Sequence, residues 1–265
     1  MELHPRGVEV VTVSLELSGP EVSRPYIEAA RAEHPSLLDP THQVGALFGV
    51  VNIPNVVWID EDGTIVRPAE PGWPERRKPL PTEIGSAISG LGRATSAPVA
   101  PHDALSPAAI LTSGQDREAY VEALRDWVRR GAASPYAMTP DEVVARSQPR
   151  PVTTSQAAAH FELAHHLWGA GHREPALHHF RESHRLQPDN WTYRRQAWSL
   201  VGNEREGGAY GRFAQGPARG QEEQWPFDSD FSSDLSQLGE GEYYPRTLWG
   251  CVRRVSRPQD DGTTR

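Results

Sequence analysis

Apolar residues fall in two different rhythms along this chain, separated by a stretch with almost none. The first rhythm is short and dense. Val8 to Ser14 (VEVVTVS) and Val56 to Ile59 (VVWI) are runs of β-branched and aromatic residues, and the second lies between Pro54 and Asp60-Glu61-Asp62-Gly63. Both predict strands. Asp62-Gly63 accepts positive backbone angles cheaply, and Thr64, Ile65 and Val66 follow at once, so the second run predicts a β-hairpin. Between the runs, Ser18-Gly19-Pro20 opens an apolar-periodic segment, Val22 to Ala32, that predicts a helix. A loop, a short helix and Pro54 complete the interval, and a closing helix is expected over Glu83 to Leu91.

Arg93 to Pro107 is built from Ala, Ser, Thr and Pro, the composition of an exposed connector. Beyond it the spacing becomes helical. Asp116 to Arg130 places Tyr120, Leu124, Trp127 and Val128 on one face, with Gly131 as a stop. Thr139-Pro140-Asp141-Glu142 has the cap, first-turn proline and acids of a helix start. Ala157 to Asn190 gives helix, Gly-containing turn, helix and Pro188, and Trp191 to Val201 supplies a further helix with Trp198 and Val201 available to cover its neighbours. From Asn203 onward the chain is rich in Gly, Gln, Ser and acid. Trp225, Phe227, Tyr243, Tyr244 and Trp249 suggest that this tail packs back in places, while Arg257 to Arg265 is expected to be disordered. The chain therefore divides at residues 1–92, a linker at 93–114, a helical domain at 115–205 and an irregular tail at 206–265.

The first unit, with LLDPTHQVGALFGVVNIPNVVWIDEDG at its centre, closely resembles thiol-disulfide oxidoreductases of the TlpA/ResA type and their peroxiredoxin relatives. In that family the LLDP aspartate precedes a short helix ending in an aromatic residue, here Phe48, and a Gly-Val pair leads to a proline in the cis form, the place of Pro54. Ile53 and Asn55 flank it and, with Pro54, would line the substrate groove. Asn55 stands where the family usually has threonine. The resemblance also implies a strand and a Cys-x-x-Cys helix ahead of Val8, where only seven residues stand. That strand would lie between those matching Val8 to Ser14 and Val56 to Ile59, so its loss would leave buried backbone groups unpaired. Either the reading frame is N-terminally truncated or the domain has collapsed into a smaller form.

Ala157 to Asn190 resembles a tetratricopeptide repeat. Leu163, Ala164 and Leu167 fall at apolar positions of its first helix and Ala176, Phe180 and Pro188 at expected places in the second, with Trp168 and Ser183 at less demanding ones. A single repeat cannot bury its own face, so neighbouring helices must cover it. The expected fold is an α/β thioredoxin-like unit, lacking its first strand and active-site helix, followed by an all-α tetratricopeptide-like domain.

Chemistry narrows the functional reading. Cys251 is the one cysteine among 265 residues, and dithiol exchange needs an attacking thiolate and a resolving partner. The chain as written cannot run a thioredoxin cycle alone, and a one-cysteine peroxidase fits poorly the Trp-Gly-Cys-Val setting of Cys251. Seven histidines, His160, His165, His166, His172, His178, His179 and His184, crowd the repeat. No pair has the i, i+4 spacing that aims two imidazoles at one ion from a single helix, so solvated faces are expected and no metal or other cofactor is assigned, although a site bridging the two helices stays open. Asp60 with Asp62, and Glu222 with Glu223, sit in polar segments where acids ordinarily face water.

The net charge of −8, without a sustained basic run, argues against nucleic acid as a partner despite Arg76-Arg77-Lys78 beside Trp73. No apolar stretch approaches membrane-spanning length. The expected location is cytoplasmic as written, or extracytoplasmic or membrane-anchored if an N-terminal signal has been lost. Two functions follow: a redox-silent module that binds other proteins through the Pro54 groove and the helical repeat, or an oxidoreductase acting on thiols whose active-site segment lies upstream.

Overall fold

The computed structural model describes residues 3–72, 117–147, 149–203, 215–217, 220, 222–238 and 243. The expected helix at 83–91, the 93–107 connector, Trp73, Arg76 to Lys78, Tyr244, Trp249 and Cys251 lie outside them. The fold is mixed α/β, with helix dominating. No helix among the described residues is long and apolar enough to cross a membrane.

Strand β1 covers Thr12–Ser14, the end of the valine-rich run, and helix α1 covers Pro20–Ala30. Ser36–Leu38, within the segment expected to be a loop, instead forms β2, which pairs with β1 in parallel. The pairing explains the difference: Thr12 N–H donates to the Pro35 carbonyl at 3.0 Å and Asp39 N–H to the Ser14 carbonyl at 2.9 Å, drawing the LLD segment into an extended register. Helix α2, Gln43–Phe48, ends on Gly49 with φ of 72°. The hairpin follows as β3 (Val56–Ile59) and β4 (Ile65–Glu70) in antiparallel register, with irregularities on either side of Trp58. Its turn is held by Asp60, whose Oδ1 accepts from Thr64 N–H at 2.8 Å, while Gly63 takes a φ of 80° that a β-carbon would oppose. Among the described residues β1–β2 and β3–β4 are separate two-stranded sheets.

The helical part contains α3 (Arg117–Arg130), α4 (Pro140–Arg146), α5 (Val152–Gly169), α6 (Arg173–Leu186) and α7 (Trp191–Asn203). Helix α4 starts at the expected Thr139 cap, and Glu142 completes it as a capping box. The tail is less irregular than expected. Phe231–Leu235 forms a helical turn, α8, capped by Asp230 and Ser233, because Phe231 and Leu235 have an apolar core to enter.

Two cores result. In the larger one, Ala157, Phe161, Ala164 and Trp168 of α5 meet Ala176, Leu177 and Phe180 of α6, and α7 covers them with Trp198 and Val201. Alternating small and large side chains let the helices approach and interlock. Here the sequence assignment needs correcting at three positions. Leu163 faces solvent, whereas Trp168 and Ser183 are buried, since the covered stripe runs through 157, 161, 164 and 168 and is one residue out of step with Leu163. Phe227, Phe231, Leu235 and Tyr243 of the tail join this core, as does Leu17 from the N-terminal part. In the smaller core, Trp58 and Val66 of the hairpin pack on Tyr120 and Ala123 of α3 and on Ala137. Beside it, Arg67 is buried in a two-pronged ion pair with Glu70, its Nη1 donating to the Tyr136 carbonyl at 2.8 Å. Packing therefore runs across the expected 93–114 linker.

Candidate protein-binding surface around Pro54

The segment from Asp39 to Asn55 is fastened to the helices at several points. Asp39, buried, caps α2 from four residues upstream: Oδ1 accepts from Gln43 N–H at 2.9 Å, and Oδ2 from Val44 at 2.8 Å and Gly45 at 3.2 Å. A carboxylate there satisfies orphan donors and complements the positive helix end. His42 turns the chain with φ of 57° and inserts its ring between helices, 4.9 Å from the Phe161 ring and 6.0 Å from Tyr193. Among the described residues neither ring nitrogen has a hydrogen-bond partner. Burial, reinforced by the nearby His165, lowers its pKa to about 3, so it is neutral at ordinary pH. Arg150, just ahead of α5, donates to the Ala46 carbonyl.

Downstream, the Val51 carbonyl accepts from the first backbone N–H groups of α7, Trp191 at 2.7 Å and Thr192 at 3.3 Å. The Asn52 side chain, buried, donates from Nδ2 to the Tyr243 carbonyl at 2.6 Å and accepts from Ile53 N–H at 2.9 Å. Asn55 Nδ2 in turn donates to the Asn52 carbonyl at 3.3 Å. Between these two asparagines the Ile53–Pro54 peptide is cis.

The outcome is a well-anchored loop whose outward side chains are apolar. Leu47 is 73% exposed, Ile53 43% and Phe48 37%, with Val44 beside them on α2. Ile53, Pro54 and Asn55 thus lie together, and α2 adds Val44 and Leu47, which sequence reasoning passed over. Their signal was available: Val44, Leu47 and Phe48 repeat at i, i+3, i+4, and on a six-residue helix that already spends Gly45 on inward contact the stripe faces out. Nothing in the sequence announced the buried place of His42, which depends on a left-handed backbone and on two aromatic residues more than a hundred positions away.

The acids considered as pairs sit on exposed turns. Asp60 holds its own hairpin, and Glu222 and Glu223 lie on a short exposed 3-10 turn. The histidines divide. His166 and His178 face solvent as expected; His165 Nε2–H donates to the Leu17 carbonyl at 3.1 Å. His184 is a correction: it stacks on Phe227 at 5.3 Å with a fully enclosed Nε2, and burial, together with the Arg194 charge, lowers its pKa to about 3. No family model, curated protein or solved structure matches this chain.

Proposed function

We propose that this chain is a redox-silent protein-binding module that combines a thioredoxin-like half with a tetratricopeptide-like helical hairpin. The observation that carries the reading is the apolar rim of Val44, Leu47, Phe48 and Ile53 beside Pro54, held on a framework fixed by Asp39, Asn52 and Val51. Apolar side chains kept at the surface of a rigid loop favour contact with a partner, because ordering costs are already met in the free protein. The element order from β1 to β4, with Pro54 two residues ahead of β3, supports the thioredoxin-like part; the α5–α6 hairpin followed by α7 supports the repeat-like part. An extended apolar peptide is the partner this rim suits.

The test is site-specific crosslinking. A photo-reactive residue at Leu47 is expected to capture a partner protein from the source cells, and Ile53→Asp in the same chain is expected to abolish that adduct while the helical spectrum stays unchanged. An adduct that survives Ile53→Asp, or one formed equally from the exposed Val152 on α5, would sink the reading.

One observation favours a second reading, a thiol-disulfide oxidoreductase whose active-site strand and helix lie upstream. Val13 on β1 and Ile59 on β3 are both exposed, and the two sheets do not join among the described residues, the arrangement that a strand laid between them would repair. Intact mass of the protein from its source, with a thiol count, separates the two: added mass containing cysteines favours the oxidoreductase, whereas the mass of the 265-residue chain with one thiol favours the binding module.

A further inference from the structure

His160 of α5 and His179 of α6 meet across the helical hairpin, with their Nδ1 atoms 2.8 Å apart and ring centroids 5.0 Å apart. In the metal-free protein one ring donates Nδ1–H to the lone pair of the other. Both rings are only partly buried, so the pair opens to solvent. Their backbones cannot drift, because Ala157, Phe161 and Ala164 on one side and Ala176 and Phe180 on the other are locked in the core. We propose that His160 and His179 form a two-point chelate for a divalent transition-metal ion of the zinc, nickel or copper class, stapling α5 to α6. This inference is independent of the binding role proposed above.

Two imidazole nitrogens on one tetrahedral ion, each about 2.0–2.1 Å from it, stand about 3.3 Å apart. The observed pair therefore needs to open by about 0.5 Å, within reach of small side-chain rotations. The donating ring first moves its proton from Nδ1 to Nε2, a tautomer change that leaves net charge unaltered, and both lone pairs then face the ion. Neutral imidazole is the ligating form, and burial together with the neighbouring His160 and His178 favours neutral His179. Glu182, one turn further along α6 and tied to Arg185, acts electrostatically on the same ring and favours a cation beside it. Among the described residues no group of three ligating side chains converges, so water completes the coordination. Imidazole selects the borderline metals over calcium or magnesium.

The untagged full-length chain is titrated with zinc chloride, and separately with nickel chloride, by calorimetry and by thermal melting. The expected result is saturable binding of one ion with a rise in melting temperature, weakened at least about tenfold by either His160→Gln or His179→Gln and unchanged by His166→Gln on the exposed side of α5. Lack of saturation by about millimolar metal, or equal affinity in all three variants, overturns the proposal. Copper(II) bound to the wild-type protein supplies a readout that does not depend on variant folding: its paramagnetic resonance is expected to show two coupled nitrogens, and a spectrum without them also overturns it.

Discussion

The α5–α6–α7 region and the β1–α1–β2 region both carry patterned apolar residues and meet opposite fates. Helices α5 and α6 bury Phe161, Trp168, Leu177 and Phe180, whereas α1 has no buried residue, and Val10, Val11, Val13, Val22, Tyr26 and Leu37 are exposed. Each large apolar side chain fully removed from water contributes on the order of 1.5–3 kcal/mol. The helical region collects that gain many times over; two paired three-residue strands collect little, and such a pair is marginal by itself. Periodicity in a sequence identifies a face that seeks cover. Whether the cover exists depends on the rest of the chain, and among the described residues it reaches one region and not the other. Leu17 marks the change: it enters the helical core, held by Gln196 Oε1 on its N–H at 3.2 Å and by His165 on its carbonyl.

The largest expected effect breaks the favoured side of this comparison. Phe161 touches Phe180, Tyr193 and His42 at once. Phe161→Ala is expected to cost about 3–5 kcal/mol through lost transfer energy and the cavity left behind. Val22→Ala on α1, where Val22 is exposed, should cost no more than about 0.5 kcal/mol. Urea unfolding measured on both variants checks the pair, and equal losses would mean that the α1 face is covered in solution.

A smaller effect per residue comes from acid, and it too acts on the helical side. Folded His42 and His184 have pKa values lowered to about 3 from 6.5, so each stays neutral while its unfolded counterpart gains a proton. A depressed folded pKa gives stability that is fully present above the unfolded value and lost as pH falls below it. Each histidine should remove about 1.4 kcal/mol per pH unit below the unfolded value, so about 4 kcal/mol together between pH 7 and pH 5. His184→Phe, which keeps a ring against Phe227 and Trp198, is expected to halve that slope. Unchanged pH dependence in this variant would assign acid sensitivity elsewhere.

Local signals account for the parts of this fold that sequence reasoning reached. The Thr139 capping box, the Asp60 to Gly63 turn and the Gly171 break between α5 and α6 are each settled within a few residues, and they are legible for that reason. Positions decided by distant partners were not. Strand β2 exists because β1 offers a parallel edge, Trp168 is buried because Phe180 stands opposite, and α8 forms because the helical core has room for Phe231. The candidate surface shows the same division. Ile53, Pro54 and Asn55 could be named from their context, whereas the rim that α2 adds depends on how His42 fixes the roll of a six-residue helix. His160 and His179 lie nineteen residues apart, and only the antiparallel closure of α5 on α6 brings them together.

The smallest stability change sharpens the comparison from the exposed side. Val13 and Leu37 are register partners on β1 and β2, and both show their side chains to solvent. Replacing both with threonine keeps β-branching at position 13 and introduces it at position 37, so strand propensity is retained while apolar surface is removed. If the face is uncovered, the double variant should melt within about 0.5 kcal/mol of the parent yet bind less hydrophobic dye and scatter less light on concentration. Dye binding is the more informative of these readouts, because it reports the face and not the core. A double variant that loses several kcal/mol would instead show that β1 and β2 are covered in the folded protein, and the contrast between the two regions would then disappear.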